Sequence, residues 1–111
     1  MDSNIVAQKI VEILEGKKAK DVKSLDITEV TIITDYFVIC SGTSSTHIKA
    51  LADEVEEKMK EMNVELLRKE GYISARWILL DFNDVVVHIF HEEEREFYNL
   101  ERLWSDSVLR R

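Results

Sequence analysis

Apolar residues recur along this chain with two different periods. Near the N-terminus Val6, Ile10, Ile13 and Leu14 fall three or four apart, the spacing of one helix face. Ser3 is placed to cap that helix, and Gly16 follows where a C-terminal cap residue belongs. Residues 16–20 form a basic connector, and residues 21–27 alternate as a short strand does. Residues 28–35 are ambiguous, rich in β-branched side chains but polar at both ends. Tyr36-Phe37-Val38-Ile39-Cys40 is a continuous apolar run, which predicts a central strand buried on both faces. Ser41 to Thr46 reads as a turn ending in capping residues. A second helix follows, with Ile48, Leu51, Ala52, Val55, Met59 and Met62 on one stripe and Lys49, Asp53, Glu56, Glu57 and Lys60 facing away. Residues 64–69 predict a weaker strand, and Gly71 breaks the chain.

The strongest hairpin signal spans residues 72–81 and 84–90 around Phe82-Asn83, since asparagine tolerates the positive φ of a tight turn. A two-residue loop there pairs Asp81 with Asp84, Leu80 with Val85, Leu79 with Val86, Ile78 with Val87 and Trp77 with His88. Alternation then puts Ile78, Leu80, Val85, Val87 and Ile89 on one face. The other face receives Ala75, Trp77, Leu79, Val86, His88 and Phe90, edged by Asp81 and Asp84. A four-residue loop keeps this assignment. A half-exposed sheet is polar on its outer face, and this one is apolar on both. Either a helix covers the second face or a partner does. Tryptophan and histidine among aliphatics, with carboxylates at the rim, is an interface composition.

From Glu92 the composition is again helical, with Phe97, Tyr98, Leu100, Leu103 and Trp104 as apolar positions. The order α-β-β-α-β-β-β-α predicts an α/β (α+β) domain, one mixed sheet of about five strands with helices packed on it, over residues 1–111. With 111 residues, 45% of them hydrophobic, a single core is sufficient without staples. One cysteine, Cys40, leaves no disulfide framework. No apolar run approaches a membrane span and no signal peptide is visible, so the expectation is a soluble cytoplasmic protein. The net charge of −7 is concentrated. Between residues 81 and 106 eight acids stand against Arg95 and Arg102. That balance opposes phosphate backbone and suits either a solvated face or a basic protein partner.

No catalytic, cofactor or metal constellation emerges. Ser41-Gly42-Thr43-Ser44 lacks the glycine and lysine spacing of a phosphate loop and reads as helix capping. Asp81 and Asp84 are the one tightly placed acid pair, with no third acid near to complete a magnesium site. His88 and His91 lie three apart on a strand and so point to opposite faces. The residues describe a binding module rather than an enzyme.

Several blocks together resemble one family. These are Thr34-Asp35-Tyr36-Phe37-Val38-Ile39, Ser41-Gly42-Thr43-Ser44, Arg76-Trp77-Ile78-Leu79-Leu80-Asp81, Asp84-Val85-Val86-Val87-His88-Ile89-Phe90 and residues 95–104. They are similar to the Iojap-like ribosomal silencing factors over nearly the whole chain. Asn83 departs from the glycine usual there. The resemblance implies a nucleotidyltransferase-like fold without that activity. It also implies binding to the large ribosomal subunit through its fourteenth protein, a block on joining with the small subunit, and repression of translation. A homodimer when free is implied too. The contact would use Trp77 as anchor, Leu79, Val86 and His88 around it, and Asp81, Asp84 and the region of Tyr98 and Glu101 for charge. Rival readings are a nucleotidyltransferase-like enzyme with a degenerate metal site, a large-subunit assembly factor, and a homodimeric scaffold whose apolar face pairs with itself.

Overall fold

The structure, a computed structural model, describes residues 2–94. The expected helix carrying Phe97, Tyr98, Leu100, Glu101, Leu103 and Trp104 lies outside them. Two helices and five strands follow in the order α1 (Ser3–Gly16), β1 (Lys20–Asp26), β2 (Tyr36–Gly42), α2 (Ser45–Glu61), β3 (Arg68–Glu70), β4 (Trp77–Asp81) and β5 (Val85–His91). The strands form one mixed sheet, β1-β2-β5-β4-β3, in which only β2 and β5 run parallel. Residues 28–35 join β1 to β2 without strand structure.

The helices form where the apolar stripes predict them. Asp2, not Ser3, caps α1, its carboxylate accepting from the Asn4 N–H at 3.1 Å. A carboxylate also carries the charge favoured at a helix N-terminus. Ser44 caps α2 by accepting from the His47 N–H at 3.1 Å, so the serine-rich turn is a cap. Val6, Ala7, Ile10 and Leu14 of α1 and Ile48, Leu51, Ala52, Val55 and Met59 of α2 are buried in a single core. That core also takes Val38 and Cys40 of β2, Ile78 and Leu80 of β4, and Val85, Val87 and Ile89 of β5. Both helices therefore cover the same face of the sheet.

Residues 36–40 lie in an interior strand as expected, β2, with β1 antiparallel on its outer side and β5 on its inner side. Two expectations about the strands are corrected. The first hairpin strand starts at Trp77 rather than residue 72. Residues 71–75 are instead a turn closed by the Ala75 N–H donating to the Gly71 carbonyl at 2.9 Å, which sends Ala75, at φ 54°, into the helix-side core. The hairpin register is shifted by two: Trp77 opposes Phe90, Leu79 opposes His88 and Asp81 opposes Val86.

The tip explains the shift. The Phe82 N–H donates to the Val85 carbonyl at 2.9 Å, so the loop is Asn83-Asp84 rather than Phe82-Asn83. The Asp84 N–H donates to the Phe82 carbonyl at 3.0 Å across Asn83, whose φ is 76°. Phe82 is a core side chain, 5% exposed, and burying its ring against α1 and α2 outweighs leaving it in the turn. A slip of two leaves the paired strand residues on their predicted faces, whereas Ala75, in the turn before β4, and Asp84, at the tip, were expected on the outer face and lie on the helix side.

Candidate functional site

The face of the sheet turned away from α1 and α2 is built from alternate residues of all five strands. Leu25 and Lys23 of β1 lie beside Phe37 and Ile39 of β2. Phe37, Ile39 and Ser41 lie beside Val86, His88 and Phe90 of β5. Asp81, Leu79 and Trp77 of β4 follow, then Arg68 and Glu70 of β3. The middle of this face is aromatic and aliphatic, and both margins carry charge.

Trp77 is half-buried, stacked on Phe90 with ring centroids 5.0 Å apart. Its indole Nε1–H donates to Nδ1 of His88 at 3.1 Å, a diagonal contact across the β4–β5 ladder. The Phe37 ring meets His88 edge-on at 4.6 Å. His88 is 4% exposed, and burial pushes its imidazole down to about 4, so the ring is neutral at pH 7. With Nδ1 accepting from Trp77, the ring proton is on Nε2.

The expected site residues divide. Leu79, Asp81, Val86 and His88 line one groove of about 300 Å³, together with Thr31, Ile33, Thr34, Phe37, Arg68 and Asn83. Trp77 abuts it through His88. Asp84 does not join them. It lines a different cavity on the helix side, with Ser3, Val6 and Val85. The Asp81 carboxylate accepts from the Asn83 N–H at 2.8 Å and lies 3.9 Å from the Arg68 guanidinium. The one carboxylate pair that suggested magnesium is thus split between the two sides of the hairpin. Among the described residues no group of three or more His, Cys, Asp or Glu is placed to hold a metal ion. Tyr98 and Glu101 lie outside the described residues.

Local sequence reasoning missed Thr34, Phe37, Ile33 and Arg68. Phe37 and the residues just before it reach the groove through the long parallel crossover from β2 to β5, and Arg68 through the pairing of β3 with β4. Ile32 and Ile33 are large apolar side chains left 102% and 83% exposed in the β1–β2 connection, and Ile33 lines the groove. Consecutive exposed isoleucines were the available signal.

The described residues define a small α+β domain with one aromatic sheet face opposite its helical core. The comparisons with known proteins give the family. The model of the family "Ribosomal silencing factor during starvation" matches residues 1–111, and the chain belongs to that family. It is 42% identical over 107 residues to the ribosomal silencing factor of Halalkalibacterium halodurans, covering 96% of this chain and 92% of that one. The mouse protein "Mitochondrial assembly of ribosomal large subunit protein 1" is 32% identical over 86% of this chain, which spans 43% of that relative. A crystal structure of a protein from Chromobacterium violaceum, 35% identical, superposes with a TM-score of 0.92 over 95% of this chain and 88% of its own.

Proposed function

We propose that the protein is a ribosomal silencing factor that binds the large subunit through its fourteenth protein and blocks joining by occupancy. Family membership and the names of the relatives support the role. The single observation that carries it to this face is the placement of Trp77, Phe37, Leu79, Val86 and His88 on the side of the sheet away from the helical core. Apolar centre, charged margin and a half-buried tryptophan anchor suit a protein partner. A net charge of −7 suits a basic one. The mechanism is steric: a folded body of 13.0 kDa on the joining surface prevents the small subunit from docking, with no bond made or broken. The mouse relative's name favours a second reading, participation in large-subunit assembly, through the same contact.

Sedimentation tests the proposal. The protein should travel with free large subunits and not with small ones. Added before the subunits mix, it should reduce the joined peak in proportion to dose without any nucleotide. A requirement for ATP or GTP hydrolysis would overturn the occupancy mechanism. Saturable binding of a nucleotide with magnesium would support the enzyme reading instead.

A further inference from the structure

Two side chains at the groove are buried with a polar atom unpaired. Thr34 is 4% exposed, and its Oγ1 has no hydrogen-bond partner among the described residues. His88 is 4% exposed, and its Nε2 has none either. Buried polar atoms are overwhelmingly paired, and each exception asks for a reason. Here both exceptions line the same cavity, with Phe37, Leu79 and Val86 as apolar wall.

The chemistry of an occupant follows from these atoms. Nδ1 of His88 is committed to the Trp77 indole, so Nε2 offers an N–H. Thr34 offers an O–H. Two donors call for an acceptor oxygen. A carboxylate or phosphate would have to shed water against Phe37, Leu79 and Val86, and would compete with Glu70 and Asp81 for Arg68, the guanidinium that lines the groove. An uncharged carbonyl has neither difficulty. Ile33, which lines the groove and is exposed, adds apolar surface suited to a polypeptide around that carbonyl.

We propose that this groove is a hydrogen-bonding subsite that takes a carbonyl oxygen from a polypeptide segment of the ribosomal protein, with His88 Nε2–H and Thr34 Oγ1–H as donors. The inference rests on the function proposed above and deepens it: the aromatic face supplies area, and the subsite supplies discrimination. A partner without a carbonyl at this point leaves both donors buried and unpaired, which is how a polar site rejects the wrong ligand.

The test compares stability with binding in the full chain. Thr34→Val keeps the side chain's shape and removes the hydroxyl. Loss of an unpaired buried hydroxyl should leave the denaturation midpoint unchanged or raise it. Affinity for purified large subunits should nevertheless fall by roughly five- to tenfold, the worth of one hydrogen bond. His88→Asn leaves an acceptor near the position of Nδ1 for Trp77 and deletes the Nε2 donor, and it should lose a similar factor. His88→Gln restores an N–H near the position of Nε2 and should recover part of it. If Thr34→Val and His88→Asn both bind as the wild type does, the subsite is overturned and large-subunit binding stands. If the wild type does not bind large subunits, both fall. If Thr34→Val weakens only self-association, the occupant is a second copy of this chain and the ribosomal assignment of the groove is wrong.

Discussion

Trp77 and His88 show how one polar contact organises an apolar surface. The indole N–H satisfies Nδ1 of His88, selects its tautomer and holds the tryptophan ring over Phe90. Because Trp77 is half-buried, Trp77→Ala should cost about 2 kcal/mol of stability, below the 3–5 kcal/mol typical of a fully buried tryptophan. The folded variant should bind large subunits about thirtyfold or more weakly. Denaturation midpoint and subunit binding measured on one sample check both numbers, and normal binding by the folded variant would remove Trp77 from the contact. His88 makes a second prediction. Its folded pKa of about 4 lies below the unfolded value of 6.5, so the unfolded chain binds the extra proton first. Stability from this group is complete above pH 6.5 and is lost as pH falls toward 4. Denaturation midpoints taken across that range should fall for the wild type, and His88→Asn should flatten this part of the profile.

The turn before β4 aims the anchor. Gly71 has φ 79°, and a methyl group there would land on the carbonyl oxygen of Trp77. Only glycine permits both the conformation and the approach. Gly71→Ala should destabilise the protein by about 2 kcal/mol or more and weaken subunit binding in the fraction that remains folded, as β4 shifts. Circular dichroism melts with binding on the same variant check this, and an unchanged midpoint would show that the turn does not constrain Trp77. The elements themselves were legible to different degrees. Both helices follow from stripes such as Ile48, Leu51, Val55 and Met59, because a period of 3.6 is read within a single segment. The faces of the paired hairpin residues were legible from the period of two, but not those of Ala75 and Asp84, which lie in turns where the alternation stops. The register was not, because a slip of two preserves the alternation, and the burial of Phe82 that decides it depends on α1 and α2. The groove was half legible: Leu79, Asp81, Val86 and His88 lie on the hairpin, whereas Phe37 arrives through a parallel pairing that no local pattern encodes, with Thr34 in the connection just before it.

At the scale of the whole molecule the sheet's edges and its face are treated differently. The β1 edge carries Lys20 and Lys23 with a register irregularity between them, and the β3 edge is the three charged residues Arg68, Lys69 and Glu70. Short, charged or bulged edges discourage strand addition, so association through the face is the better route for a partner or a second copy. If a homodimer and the ribosome use that one face, they exclude each other, and raising the protein concentration should lower the fraction of chains competent to bind subunits. Charge sets how fast the encounter occurs. Shortening the screening length from about 30 Å at 0.01 M salt to about 8 Å at 0.15 M should slow association of this acidic chain with a basic partner. Asp84 is the residue on which to test it, since it is exposed, whereas Asp81 is held by Asn83 and Arg68. Asp84→Lys should slow association roughly twofold or more at low salt, with a smaller effect on dissociation and little on stability, because an exposed charge outside the contact acts on the encounter through the long-range field. Stopped-flow association at several ionic strengths measures it. An on-rate indifferent to salt in both proteins would reduce the acidic balance to a means of staying soluble and leave recognition to the aromatic face alone.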